Sequence, residues 1–338
     1  MSSFRPFKLM VGAMLLFIAT GSLAQAATVT IKIATLAPEG STWYKALRQM
    51  GDQWAEISNG DVQLKIYAGG VVGNEGAMVR KMRIGQLHAG AVTNLGLMDI
   101  DPSAQVTQAP MLIQSYDELD YVMKKMGPEF ERRIAEKGFV LLNWGDAGWV
   151  HFFSNAPMLE PKDANQFKTY AWSGDPTSVE IFKAAGFTPV VLDSTDVLPS
   201  LQSGLVNAFP GTPLSALALQ WFALAKHMLD VPWAPLMGGT VITKEAWDSI
   251  PAQYHEPFLK AAREVGDSIK DEVRRQDKKA IEVMKKYGLT VHAATPEQKA
   301  AWEKIAVALY PIVRTKMVPP EIFDEAKRHV EAYRSGSR

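Results

Sequence analysis

The feature that most constrains the fold is a regular alternation of strand-like and helix-like segments that begins near residue 29. The first segment, 29–36 (VTIKIATL), alternates β-branched and polar side chains, which is typical of a strand. The alternation predicts a strand at 29–36, a helix from Ser41 or Thr42 to about 59, a strand at 62–67, a helix at 75–84 and a buried parallel strand at 89–94. This order predicts an α/β fold with a parallel sheet.

Two later segments, 140–144 and 187–192, repeat the strand pattern. Folds of this kind bind ligands just outside the carboxyl ends of their strands. Helices are predicted at 296–313 and 320–333 near the end of the chain. A cleft bounded by strand ends is therefore the place to look for a ligand.

A long helix is predicted after residue 249, because apolar residues recur at helical spacing from Phe258 to Met284 and Gly288 ends the pattern. A helix of thirty-odd residues extends about 45 Å, which is longer than one small domain is wide. Gln276 interrupts the apolar seam, and two helices with a break between them are the alternative. The length favours one helix that bridges two lobes.

The N-terminus has the organisation of an export signal. Arg5 and Lys8 precede an apolar run at 9–19, which is too short to span a bilayer of about 30 Å. Ala24-Gln25-Ala26 then matches the small-residue pattern of a cleavage site. We predict a signal peptide at 1–26 that is cleaved, and hence an exported protein; an uncleaved membrane anchor is the alternative.

Composition excludes several classes of function. The chain has no cysteine, which removes thiol nucleophiles, disulfides, iron–sulfur clusters and cysteine-bound zinc. Its 36 basic residues balance its 36 acidic ones, which argues against a nucleic acid partner. The six histidines are scattered, and no nucleophile elbow, metalloprotease, dinucleotide or P-loop motif occurs. We therefore predict no catalytic residue, no metal site and no cofactor.

Tryptophan is concentrated in the middle third of the chain, in a protein with nine in total. Trp144 and Trp149 flank a short segment just beyond a predicted strand, and Trp172, Trp221 and Trp233 follow. Tryptophans are most often part of the core. Several of them near strand ends also fit a mostly apolar ligand pocket.

Four segments taken in order resemble the DctP-like substrate-binding proteins of tripartite ATP-independent periplasmic (TRAP) transporters. They are 31–47 (IKIATLAPEGSTWYKAL), 69–94 (GGVVGNEGAMVRKMRIGQLHAGAVTN), 109–119 (APMLIQSYDEL) and 185–209 (AGFTPVVLDSTDVLPSLQSGLVNAF). The resemblance implies two α/β lobes joined by crossing strands, with a long helix spanning both. It also implies a non-enzymatic receptor that captures a small organic solute between the lobes and delivers it to a membrane permease.

The resemblance places lobe I at 28–147 plus 237–279 and lobe II at 148–236 plus 280–338. It also implies a set of ligand contacts, in which the aromatic rings pack against the ligand and the polar groups form hydrogen bonds. The candidates are Trp43, Glu75, Asn94, Trp149, Tyr170, Trp172 and Thr212.

The chain departs from the family pattern at two positions that usually carry arginine. The usual K-x-R-V stretch reads Lys168-Thr169-Tyr170-Ala171, and the usual G-x-R stretch reads Gly148-Trp149-Val150. Arginine holds a carboxylate with two parallel hydrogen bonds, which tyrosine and valine do not provide. We therefore expect a neutral or apolar ligand, unless a basic side chain such as Arg80 or Lys168 reaches the cleft.

Several alternatives remain open at this stage. Asp175, in a Trp-Ser-Gly-Asp-Pro stretch that resembles a subgroup without the arginine pair, is either a helix cap or a ligand contact. The same fold also serves receptors that present a ligand to a signalling sensor. A secreted α/β enzyme is a further alternative, although convergent catalytic groups are not evident in the sequence.

Overall fold

The computed structural model describes residues 28–336, so the predicted signal peptide at 1–26 lies outside the described residues. The described chain is a mixed α/β structure with a central sheet. Its strands are β1 (Val29–Thr35), β2 (Val62–Tyr67), β3 (Ala89–Thr93), β4 (Phe139–Ser154), β5 (Lys168–Trp172), β6 (Thr188–Leu192), β7 (Ala208–Gly211), β8 (His227–Asp230), β9 (Ala234–Thr243) and β10 (Thr290–Ala293).

The helices pack on both faces of this sheet. They are α1 (Thr42–Ile57), α2 (Glu75–Arg83), α3 (Asn94–Leu97), α4 (Tyr116–Glu136), α5 (Pro176–Ala184), α6 (Val197–Ser203), α7 (Pro213–Ala218), α8 (Lys244–Asp248), α9 (His255–Lys286), α10 (Pro296–Ile312) and α11 (Pro320–Arg334). The predicted strands and helices of the first 94 residues are confirmed to within two residues at most boundaries.

The sheet is mixed, whereas the sequence predicted a parallel one. Its strands run in the order β2-β1-β3-β9-β4-β7-β5-β6. The outer groups, β2-β1-β3 and β7-β5-β6, are parallel as predicted. β9 is antiparallel to both of its neighbours, β3 and β4. This strand returns from a distant part of the chain, so its direction is set by tertiary pairing and not by local pattern.

Two long strands, β4 and β9, connect the two halves of the molecule. The part of the fold built on β1–β3 is called lobe I below, and the part built on β5–β7 is called lobe II. β9 pairs with β3 through 238–242, and β4 pairs with β7 through 151–154. The predicted strand at 140–144 is only the beginning of β4, which is 16 residues long.

Helix α9 is a single helix of 32 residues, about 48 Å long, which confirms the one-helix prediction. It packs along β4 and against α1 and α7, so it contacts both lobes. Gln276, which interrupts its apolar seam, accepts a hydrogen bond from the Thr42 hydroxyl at the start of α1. The polar residue in the seam therefore ties lobe I to the long helix.

Polar residues begin several of these helices as the sequence predicted. The Ser41 hydroxyl accepts a hydrogen bond from the Tyr44 amide, and Asp101 caps the short 3-10 helix that follows it. Asp175 is fully buried and caps α5 through the Ser178 amide. Of its two alternatives, the helix cap is the one observed.

Within residues 28–336, none of the helices combines the length and apolar character needed to cross a membrane.

Candidate ligand-binding site

A cavity of about 290 Å³ lies between the two lobes. Its walls are formed where strands end: residues 35–38 follow β1, Thr93 ends β3, Trp172 ends β5 and residues 210–211 end β7. Parallel strands bring their carboxyl ends to one edge of a sheet, and ligands bind outside that edge. The location is the one expected from the strand order.

Aromatic rings from both lobes enclose the cavity. The lining rings are those of Trp43 from lobe I and Tyr170, Trp172 and Trp221 from lobe II. Trp43 is held by a hydrogen bond of 3.2 Å from its indole nitrogen to the Asp146 carbonyl oxygen. Tyr170 meets Trp221 edge to face with ring centroids 5.9 Å apart. The cavity therefore has fixed walls that suit an apolar surface.

The Trp172 indole depends on a neighbouring glycine. A Cβ atom at Gly174 would lie 2.3 Å from the indole ring, which is far inside van der Waals contact. Only glycine lets the loop fold back under the ring. The Trp-Ser-Gly-Asp-Pro stretch is thus explained by packing at Gly174 and by the helix cap at Asp175.

Glu75 is the buried acid of the cavity. It is the first residue of α2 and is 2% exposed. Its Oε1 accepts a hydrogen bond of 2.8 Å from the Thr93 amide, and its Oε2 accepts one of 2.8 Å from the Thr93 hydroxyl. Burial raises the pKa of this carboxyl, while the hydrogen bonds from Thr93 and Gly96 oppose that rise.

Basic side chains are absent from the described residues that line this cavity. The second acid of the lining, Asp146, is already paired with Arg274, whose Nε lies 2.6 Å from Oδ2. Arg274 also holds Asp120 with two hydrogen bonds of 2.7 and 2.8 Å. Glu75 is therefore a buried acidic group with no cation beside it in the lining.

Four of the seven predicted ligand contacts line this cavity: Trp43, Glu75, Tyr170 and Trp172. The other three, Asn94, Trp149 and Thr212, are not brought to it. Asn94 donates to Ala104 and Thr107 and accepts from the Met237 amide, so its side-chain amide is fully used inside the fold. Thr212 caps α7 through the Ser215 amide.

Trp149 points into a core instead of the cleft. It is 9% exposed and packs against Tyr116, with ring centroids 5.5 Å apart. The pairing of β4 with β9 shifts register between Asp146 and Gly148. Because successive side chains of a strand face opposite sides, a shift of one residue changes the face on which the next side chain lies.

The two positions that usually carry arginine have different surroundings. Tyr170 lines the cavity, whereas Val150 packs against the core that contains Trp149. Arg80 and Lys168 are exposed and are not among the lining residues, so neither replaces an arginine in this conformation. Trp221, Thr93 and Thr240 also line the cavity although they were not among the predicted contacts. The concentration of tryptophan pointed to Trp221, and Thr93 stands at the end of a predicted strand.

The lobes touch directly at the mouth of the cavity. The Asn74 side-chain amide of lobe I donates a hydrogen bond of 2.9 Å to Asp193 of lobe II. The Ser173 hydroxyl also donates to Asp193. These hydrogen bonds lower the pKa of the Asp193 carboxyl. The structure therefore shows the cleft in a closed arrangement.

A second cavity, of about 400 Å³, lies on the other face of residues 143–146, between α4 and α9. Its lining carries charges of both signs, including the ion pairs Arg263–Glu131 and Lys270–Asp120. It does not lie at the carboxyl ends of the parallel strands. The cavity between the lobes is therefore the candidate ligand site.

The chain is similar to known bacterial proteins. A family model, DctP, described as bacterial extracellular solute-binding protein, family 7, matches residues 33–316. The C4-dicarboxylate-binding periplasmic protein DctP of Rhodobacter capsulatus is 23% identical over 305 residues, covering 89% of this chain and 91% of the relative.

Solved structures show the same fold. A TRAP periplasmic solute-binding protein from Sulfurospirillum deleyianum with bound succinate has a TM-score of 0.82 and 24% identity, covering 90% of this chain and 99% of that one. An apo, open and partially disordered one from Rhodobacter sphaeroides has a TM-score of 0.73 and 20% identity, with coverages of 90% and 99%.

Proposed function

The chain belongs to the DctP family of bacterial extracellular solute-binding proteins, family 7, and on that premise we propose that it is the periplasmic receptor of a TRAP-type importer. In this role it captures a small organic solute and delivers it to membrane permease subunits. The observation that carries the proposal is the cavity between two lobes whose walls come from both. We propose that this role consists of capture and release, without catalysis.

Closure of the lobes is the proposed mechanism. A ligand that contacts both lobes favours the closed state by the difference between its affinities for the closed and open states. Trp43 and Glu75 supply contacts from lobe I, and Tyr170 and Trp172 supply them from lobe II. We propose these four side chains as the ligand contacts. The other three candidates are proposed to stabilise the surrounding structure and not to contact the ligand; they are Asn94, Trp149 and Thr212.

The bound solute is proposed to be neutral or apolar over most of its surface. A carboxylate that enters this cavity loses hydration, gains no lining cation and meets a second acidic group, Glu75. Leaving a buried charge unpaired costs several kcal/mol, and about 1.4 kcal/mol is tenfold in affinity. Relatives that bind dicarboxylates or succinate are therefore expected to differ from this chain in ligand chemistry.

Calorimetric titration tests the proposed function. The protein is titrated with succinate and with the solute that mass spectrometry identifies in the protein as purified. We expect the co-purified solute to bind with micromolar or better affinity and succinate to bind weakly. Micromolar succinate binding that weakens at high salt would contradict the proposed ligand chemistry, and a protein that binds no solute would contradict the receptor role.

Export and domain division complete the proposal. We propose cleavage after Ala26, which the intact mass of the exported protein measures directly; retention of Arg5 and Lys8 would contradict it. We propose that lobe I comprises 28–147 plus 237–279 and lobe II 148–236 plus 280–338. The crossing of β4, β9 and α9 between the two halves supports this division.

A further inference from the structure

Most of the hydrogen-bond acceptor positions of the Glu75 carboxylate are already occupied by donors within the protein. An ionised carboxylate offers about four acceptor positions. The Thr93 amide, the Thr93 hydroxyl and the Gly96 amide donate to three of them. One position remains for a donor that comes from a bound molecule.

Tyr170 presents the complementary group from the other lobe. Among the described residues its hydroxyl has no hydrogen-bond partner, although its ring is packed against Trp221. Burial, and then the negative charge of Glu75, raise the pKa of Tyr170, so the phenol stays protonated. The Tyr170 hydroxyl is therefore available to donate a hydrogen bond within the same cavity that Glu75 lines.

We propose that the ligand is an apolar solute with a hydroxyl group that donates to Glu75 and accepts from the Tyr170 hydroxyl, bridging lobe I and lobe II. This inference rests on the proposed receptor function and names the chemistry of its ligand. The aromatic walls hold the apolar body. The hydroxyl supplies a donor to the last acceptor position of Glu75 and an acceptor to the Tyr170 hydroxyl.

The alternatives fit the two groups less well. A carboxylate accepts from Tyr170 but has no proton to donate to Glu75 and brings a charge that no lining cation pairs. An ammonium donates to Glu75 but has no lone pair for the Tyr170 hydroxyl. An ether accepts from Tyr170 and leaves Glu75 without its last donor. A hydroxyl is the simplest group that satisfies both positions.

The experiment uses four probes with one cyclohexyl body and different head groups: cyclohexylmethanol, its methyl ether, cyclohexylmethylamine and cyclohexanecarboxylate. Each is titrated into the mature protein, freed of co-purified solute, by calorimetry at pH 7.5. We expect the alcohol to bind most tightly and the carboxylate least. Tighter binding of the ether, the amine or the carboxylate than of the alcohol overturns the inference, as does binding of none of the four.

Two substitutions test the bridge itself. Y170F removes only the hydroxyl, and we expect it to weaken the alcohol, the ether and the carboxylate, which accept from that hydroxyl, about two- to tenfold while leaving the amine nearly unchanged. E75Q is expected to weaken the alcohol about tenfold or more. Y310F, which removes a hydroxyl from α10 outside the cavity lining, is the matched control and should leave all affinities unchanged.

The variants also separate this inference from the receptor function. Because Glu75 holds Thr93, E75Q is checked for folding by its thermal transition; if it fails to fold, Y170F alone decides the test. If Y170F binds the alcohol as tightly as the wild-type protein does, the bridge is wrong. The receptor function would still stand in that case, provided that the co-purified solute binds.

Discussion

At the scale of the residue, Asp277 is the buried acid with the clearest physical consequence. It lies on α9, is 6% exposed, and accepts hydrogen bonds from the Leu214 amide at 2.9 Å and the Trp149 amide at 3.4 Å. Gly148 has φ +103°, and a Cβ there would lie 2.8 Å from the Asp277 carboxyl. Burial, opposed by the two hydrogen bonds, raises the pKa of Asp277 to about 6.

We expect this carboxyl to make folding stability depend on pH. Its pKa in the folded protein, about 6, is above its unfolded value near 3.9, so the folded state binds the proton more tightly. The stabilisation is complete below about pH 4 and is lost as the pH rises through about 6. Between pH 4 and 7 the D277N variant should gain about 2–3 kcal/mol of unfolding free energy relative to wild type.

Urea unfolding of both proteins at pH 4 and pH 7 measures this difference. The comparison uses the change with pH, because the amide also alters the hydrogen bonds to Leu214 and Trp149 at every pH. If the unfolding free energies of the two proteins change equally between pH 4 and pH 7, ionisation of Asp277 does not destabilise the folded state, and the prediction is contradicted.

At the scale of the element, the contact between α9 and β4 is what holds the long helix against the crossing strands. Gly266 permits the close approach: a Cβ at this position would lie 2.7 Å from the Asn143 Cβ and 2.8 Å from the Trp144 carbonyl oxygen. Backbone and Cβ atoms cannot swing aside as the end of a flexible side chain can. The helix and the strand must therefore separate if this glycine is replaced.

We expect G266A to destabilise the protein by about 1–3 kcal/mol, the usual range for overpacking, despite the better helix propensity of alanine. Gly127, inside α4, is the matched control because its nearest neighbour would be 3.9 Å from an added Cβ. G127A should be neutral or should stabilise by up to about 1 kcal/mol. Thermal unfolding of the two variants measures the contrast, and equal transitions would contradict the role of Gly266.

At the scale of the whole molecule, the two lobes are joined by β4, β9 and α9 and meet again at the mouth of the cavity. Asp193 is the centre of that second contact, since Asn74 and Ser173 both donate to it. An exposed contact of this kind contributes about 0.5–1 kcal/mol. It therefore favours the closed state modestly and leaves the ligand to supply the rest.

We expect D193A to weaken binding of the co-purified solute about two- to fivefold, because the closed state loses the contact with Asn74. Asp196, an exposed residue of the same loop, is the matched control, and D196A should bind as wild type does. Small-angle scattering should show a smaller radius of gyration with saturating solute in all three proteins. An unchanged radius in the wild-type protein would indicate a rigid cavity and contradict closure.

The sequence by itself determined the order of the elements, the single long helix and the family. Strand β2 was predicted at its observed bounds, and α9 continued through Gln276 as one helix. These features depend on periodicity over a few turns, on caps such as Ser41 and on helix ends at glycine, which are all short-range effects. The family was predicted from the order of four segments that resemble it. This order is recognisable although the identity to the relative from Rhodobacter capsulatus is only 23%.

Only the tertiary structure decided which side chains face the cavity between the lobes. Trp149 and Tyr170 were equal candidates in the sequence, but the register shift in β4 turns Trp149 into the core, while β5 presents Tyr170 to the cavity. The Asn94 side chain forms hydrogen bonds within the fold, including one from the Met237 amide, which is far away in the chain. The antiparallel course of β9 and the full length of β4 were likewise missed. Each depends on pairing between residues far apart in the chain, which no local pattern records.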